Sequence, residues 1–206
     1  MLDKSGSCAI VALLVEKKVY IINVGDSRAV MSSDGGNYCM NLSIDHKPND
    51  DNEQKRILQN GGRVYQTQTI ARGDTYKQVQ TITYQPGQDN SAVLQQADQR
   101  EENPNVIYGP FRVFPGRLSV SRTFGDIEAK REKFGGNPNV VIAVPDIKEF
   151  TIDDKMDFLL LGCKYTSYRI PIHFVFLGDG IFDKISNAEV LKQAWIAAKK
   201  NFHAKE

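Results

Sequence analysis

DFLLLGC (157–163) and, fifteen residues further on, DGIFD (179–183) decide how the rest of the chain is read. The first is an apolar run of the kind expected of a strand buried on both faces, and such strands deliver functional side chains at their carboxyl ends. Asp179 stands at that position. Asp-Gly is a turn dipeptide: Gly180 tolerates positive φ, so the chain can swing away while the carboxylate points back to the sheet end. Asp183 follows four residues later and can face the same pocket. Two carboxylates at a strand end suit a hard divalent cation, because Mg2+ and Mn2+ take oxygen ligands. An alternative stays open at this point, that Asp179 satisfies turn amides and Asp183 precedes a helix.

The 206 residues fit one domain with a sizeable core, and 41% apolar with 25% charged residues is ordinary for a globular protein. Lys plus Arg (26) nearly balances Asp plus Glu (25), so no basic field argues for nucleic acid or an acidic membrane. The longest apolar stretches, near 9–15 and 158–163, are too short for a transmembrane segment. MLDKSGSC at the start lacks the pattern of a secretory signal, so an intracellular, cytoplasmic protein is expected. Cys8, Cys39 and Cys163 lack CxxC spacing and read as reduced packing residues.

Outward from the central stretch, CAIVALLV (8–15) and VYIINV (19–24) read as an antiparallel hairpin turning at Glu16-Lys17-Lys18. Turns at Gly25-Asp26-Ser27 and at SSDGGN then continue a β-meander, which puts Asp26 in a hairpin turn at a strand end. DNEQKRILQN reads as a largely exposed helix stopped by Gly61-Gly62. His46, just before it, reads as a surface or hydrogen-bonded structural residue rather than a general acid. Residues 65–117 are too polar to hold a core and read as a flexible insertion or weakly paired hairpins. NVVIAVPDIKEFTI (139–152) reads as two strands broken at Pro145-Asp146. Ser186-Asn187-Ala188-Glu189 is a capping box, and Val190, Leu191, Ala194, Trp195 and Ala198 give the helix after it one apolar face. Many antiparallel strands with late helices indicate an α+β layered domain.

Taken in order, VYIINVGDSRAVM, DHKPND..E..RI...GGRV, LSVSRTFGD, VVIAVPDI and DFLLLGC/DGIFD resemble consecutive signature blocks of the metal-dependent Ser/Thr protein phosphatases, the type 2C or PPM family. The resemblance implies an α-β-β-α sandwich, two antiparallel sheets face to face with helices outside, here as a single incomplete domain over 1–206. It implies a site for two Mg2+ or Mn2+ ions in a cleft at one edge, and hydrolysis of phosphoserine and phosphothreonine in phosphoprotein substrates by an activated water. Carried over, Asp179 matches a metal-ligand aspartate, and Asp26 and Asp183 match acids that hold a further metal in some members. Arg122 and Asp126 of SRTFGD are expected to anchor the polar insertion by hydrogen bonds. That insertion takes the place of a shorter substrate-side flap.

Two departures qualify the resemblance. The family's amino-terminal Arg segment, its DGHGG block and its Asp-Asn block have no match here, so the chain alone is expected to bind metal poorly and to be inactive. A non-catalytic phosphatase-like interaction module is the alternative, and a small-molecule phosphoesterase a more distant one. Residues 164–178, KYTSYRIPIHFVFLG, interrupt what would otherwise read GCDGIFD. Either they form a loop, with HFVFLG competing with FLLLGC for one strand position, or they are a translated intron. The second is preferred: with TGT, AAA, TTA and GGT at Cys163, Lys164, Leu177 and Gly178, excision from GT to AG restores a Cys codon before Asp179.

Overall fold

The computed structural model describes residues 3–72, 75–84, 106–162, 174–177, 182 and 185–203. They form two compact units, one of residues 1–7 and 46–143 and one of residues 8–45 and 144–206.

In chain order the strands are β1 (Gly6–Ser7), β2 (Ala9–Val15), β3 (Lys18–Val24), β4 (Arg28–Ser33), β5 (Tyr38–Asn41), β6 (Arg63–Arg72), β7 (Thr75–Tyr84), β8 (Val106–Phe114), β9 (Phe124–Gly125), β10 (Asp146–Thr151), β11 (Met156–Gly162) and β12 (Phe174–Leu177). The helices are α1 (Asp51–Gln59), α2 (Ile127–Lys130) and α3 (Asn187–His203).

The unit containing the central stretch is built from two sheets, β10-β3-β2 and β12-β11-β4-β5. The expected hairpin of β2 and β3 is present, Val15 opposite Lys18, as is that of β4 and β5. The meander is not: β3 and β4 belong to different sheets, so Gly25-Asp26-Ser27 is a crossover and Asp26 does not sit in a hairpin turn. The physical reason is that both strands are apolar enough to line an interior, so they face each other across a core instead of pairing edge to edge. Val19, Ile21, Ala29, Met31, Leu42 and Leu161 form that core, with Ile10, Ala12 and Phe150 against it.

Side-chain alternation along β4 and β11 supplies a further layer. Met31 and Leu161 point into the inter-sheet core, whereas Val30 and Leu160 join Phe182, Val190 and Leu191 on the opposite face, under α3. Ser186 caps the helix as that pattern expects, its hydroxyl accepting from the Glu189 amide at 3.2 Å. Trp195 donates its indole N–H to Ser32 Oγ at 2.8 Å, and its ring lies 5.6 Å from that of Phe158. The α+β class is therefore realised as sheet, sheet and helix layers in this unit.

One detail of the expected antiparallel sheets is corrected. β12 runs parallel to β11, Leu159 to Gly162 matching Phe174 to Leu177, so the two apolar runs lie side by side and do not compete for one position. Of residues 164–178 the others lie outside the described residues.

In the other unit α1 is capped by Asp50, whose carboxylate accepts from the Asn52 and Glu53 amides, and gives way to Gly61 at φ +77°. Its Ile57 packs with Val64, Val113, Ala129, Val140 and Val141. The polar stretch forms an antiparallel sheet, β7-β6-β8, with bulges on both sides of Gln68. Backbone hydrogen bonding along the ladders organises it, and at its described end Val113 is buried in the core with Phe111 against it; residues 85–105 lie outside the described residues. The strand expected near Asn139 is absent among the described residues: Val140 and Val141 are buried from a turn, and only Ile142 forms a bridge, to Arg122.

Candidate functional site

Asp26 is half-buried at the crossover between the sheets. Gly25, before it, has φ +103°, and a Cβ there would lie 2.2 Å from Cys8 Sγ, so only glycine fits. The Cys8 thiol donates to Asp26 Oδ1 at 3.3 Å. Asn23, buried at the end of β3, donates through Nδ2 to the carbonyls of Gly25 (3.2 Å) and Ile44 (2.9 Å). The carboxylate therefore sits on a backbone held from both sides.

Two residues on, Arg28 opens β4. Its Nε and Nη2 donate to the two carboxylate oxygens of Asp45, both at 2.8 Å, a two-pronged geometry that sets the plane of the guanidinium. Nη1 then reaches the Phe182 carbonyl at 3.3 Å and Asn187 Oδ1 at 3.4 Å, and the guanidinium carbon lies 5.7 Å from the centre of the Phe182 ring. Phe182 packs against the end of β11, where a Cβ on Gly162 would come within 2.2 Å of its ring.

Asp179 and Asp183 lie outside the described residues, so of the three acids singled out in the sequence the structure describes Asp26. Among the described residues no three His, Cys, Asp or Glu side chains gather as a metal-binding group. A groove of about 730 Å³ in the same unit is lined by Asn23, Asn41, Ser43, Asp146 and Lys148 among others, not by Asp26. Lys148 there donates to the Asn41 carbonyl at 3.0 Å.

In the other unit the sequence reading missed a buried carboxylate, Glu53 on α1. Arg56 donates to its Oε2 at 2.8 Å, Arg122 to its Oε1 at 2.7 Å and 3.1 Å, and the Ser121 hydroxyl to Oε2. Burial pushes the Glu53 carboxyl up, but the hydrogen bonds from Arg122, Arg56 and Ser121 and the charge of Arg56 outweigh it and bring it down to about 2. A signal was present in the sequence: Glu53 is four residues from Ile57, on the buried face of its helix. Arg122 is thus engaged by α1. Asp126 is left-handed at φ +48° and its amide donates to the Ser5 carbonyl at 3.0 Å. His46 is buried, not at the surface, and its carbonyl accepts from the Ser121 amide (2.9 Å) and hydroxyl (3.1 Å).

Comparison with known proteins adds an independent line. The family model described as Protein phosphatase 2C matches residues 1–165. "Probable protein phosphatase 2C 2" of Paramecium tetraurelia is 29% identical over 92% of this chain and 43% of its own length. "Probable protein phosphatase 2C 60" of Arabidopsis thaliana is 31% identical over 91% of this chain and 35% of its own length. The chain thus spans less than half the length of these curated relatives. Among solved structures, a serine-threonine phosphatase 2C from Toxoplasma gondii superposes with a TM-score of 0.55 at 20% identity, over 95% of this chain and 48% of that one, a likeness of fold.

Proposed function

The chain belongs to the protein phosphatase 2C family, and on that premise we propose that it carries part of a metal-dependent site that hydrolyses phosphoserine and phosphothreonine in proteins. One observation carries the proposal. Arg28, Gly162 and Leu177 are in register on three neighbouring strands at one edge of a sheet. Asp26 precedes Arg28 by two residues; Asp179 follows Leu177 by two, and in a chain without 164–178 it follows Gly162 by two. Neighbouring strands lie about 4.8 Å apart and two residues reach at most about 7 Å, so with or without 164–178 the two acids hang from anchors no more than roughly 10 Å apart on the same edge. Phe182, next to Asp183, is tied to Arg28 at that edge as well. This supports Asp26, Asp179 and Asp183 as the acids that hold metal.

The donor chemistry fits. Carboxylate oxygen is what magnesium and manganese take, and Asp26 contributes one such group from a backbone that Gly25 and Asn23 keep in place. Two such ions per complete site, when bound, supply water activation and offset charge on the phosphoryl oxygens. The protein's own work is to fix its carboxylates and to hold their orientation, as the Cys8 thiol does for Asp26. Phosphoproteins are the proposed substrates, and a cytoplasmic setting belongs to the same proposal.

The test is phosphate release from a phosphothreonine peptide with Mn2+, by this chain and by the chain extended through whatever its transcript encodes on either side. The chain alone is expected to be inactive. The extended polypeptide is expected to turn over, and to lose activity in Asp26→Asn and Asp179→Asn. An extended polypeptide without activity would leave the interaction-module reading in its place.

A further inference from the structure

We infer that one face of the β7-β6-β8 sheet is a docking surface for a phosphorylated peptide segment, with Arg63 and Arg112 as the groups that take its phosphoryl oxygens. The inference rests on the reading above for its choice of partner, a phosphoprotein. The chain as a whole is balanced, 26 basic residues against 25 acidic ones. This sheet is not: its three strands hold Arg63, Arg72, Lys77 and Arg112 and no Asp or Glu. Alternation then sorts the side chains by face. Val64 and Val113 enter the core, so Arg63, Tyr65, Arg112 and Phe114 belong to the opposite face. Arg63 stands opposite Phe114 and Tyr65 opposite Arg112, which makes the two arginines diagonal neighbours. Their backbones lie about 7–8 Å apart, within reach of one phosphoryl group.

Arg28, Arg56 and Arg122 each meet a carboxylate, that of Asp45 or of Glu53. Arg63 and Arg112 meet none among the described residues, and what holds them is neutral. Arg63 lies over the Phe114 ring, 4.6 Å from its centre, a stacking that orients the guanidinium and leaves its edge N–H groups uncommitted. Arg112 donates through Nη1 to the Arg117 carbonyl at 2.7 Å, and Arg117 is itself an exposed cation beside the sheet. A phosphoryl group suits that arrangement: it carries up to two negative charges and three acceptor oxygens, which arginine meets with paired N–H bonds. Two guanidiniums, rather than a track of them, match a single phosphoryl on a peptide and not the repeated phosphates of a nucleic acid. Phe114, 39% exposed, and the half-buried Tyr65 give the same face apolar area for the residues beside the phosphorylated one.

Fluorescence anisotropy of a labelled peptide carrying one phosphothreonine among acidic residues measures binding to the full chain. EDTA is present so that metal plays no part, and every variant is also melted. The unphosphorylated peptide and a short single-stranded RNA of the same net charge are the comparison ligands. Hydrogen bonds to a charged group contribute enough that losing one arginine weakens binding about tenfold or more. Arg63→Ala and Arg112→Ala are each expected to raise the dissociation constant of the phosphopeptide by that factor, and Arg63→Lys to fall between them and wild type. Lys18→Ala, an equal loss of charge in the other unit, should leave it unchanged. Arg63 is exposed, so its variants read binding even where Arg112→Ala loses stability. A phosphopeptide that binds no better than its unphosphorylated form, an Arg63→Ala variant that binds as wild type, or equal weakening in Lys18→Ala overturns the inference. RNA bound as tightly as the phosphopeptide also overturns it, as an unselective attraction for polyanions. Because metal is absent, none of these outcomes bears on the proposed hydrolysis, and an extended polypeptide without turnover leaves this face standing.

Discussion

Replacing Glu53 by Gln removes a buried negative charge that two arginines and a serine hold in place. The carboxyl titrates at about 2 instead of its ordinary 4.5. A carboxyl held that far down stabilises the folded state at neutral pH by about 2–3 kcal/mol once solvent screening is allowed for. The folded value lies below the unfolded one, so the stabilisation is present above about pH 4.5 and is lost as pH falls towards 2. At pH 3 less than half of it should survive. Urea unfolding followed by circular dichroism at pH 7 and pH 3 measures this directly. Glu53→Gln should be less stable than wild type by about 2–3 kcal/mol at pH 7, with a gap less than half as large at pH 3. A variant as stable as wild type at pH 7, or a gap that does not change with pH, would refute the reasoning.

Other outcomes follow from the same contacts. Leu160→Ala empties a fully buried position on β11, beneath α3, and should cost about 2–5 kcal/mol, read from thermal melts. Gly25→Ala forces a side chain against Cys8 at φ +103°, so it should cost about 1–3 kcal/mol and weaken Mn2+ binding together with stability. Sequencing the transcript across codons 163–179 should find a mature message without those for 164–178; a message that keeps them would dispose of the intron reading.

The layers were legible because burial on one or two faces writes itself into residue order. DFLLLGC, VYIINV and the Ser186 capping box gave β11, β3 and the start of α3 directly. Pairing was harder to read. VYIINV and RAVM look like consecutive strands whether they pair or face each other, and only the finished core decides, which is why the crossover at Asp26 was mistaken for a hairpin turn. That HFVFLG would compete with FLLLGC for one strand position was one of the two readings of 164–178, and it arose because two equivalent apolar runs carry no record of their order in a sheet. NVVIAV was taken for a strand on its apolar content, yet Val140 and Val141 reach the core from a turn. Within the candidate site, the sequence singled out Asp26 by its turn signal. It did not single out Arg28 and Asp45 there, nor Glu53 in the other unit, because their roles depend on partners far away in sequence: Glu53 meets Arg122 across 69 positions and Arg28 meets Phe182 across 154.

The central claim is that Asp26 shares a cation with acids more than a hundred residues away. Anomalous diffraction at the manganese edge, from crystals of the extended polypeptide grown with Mn2+, tests it most directly. The account predicts a peak within coordination distance of the Asp26 and Asp179 carboxylates. Well-ordered carboxylates with no peak between them, or a peak held by other residues, would contradict it.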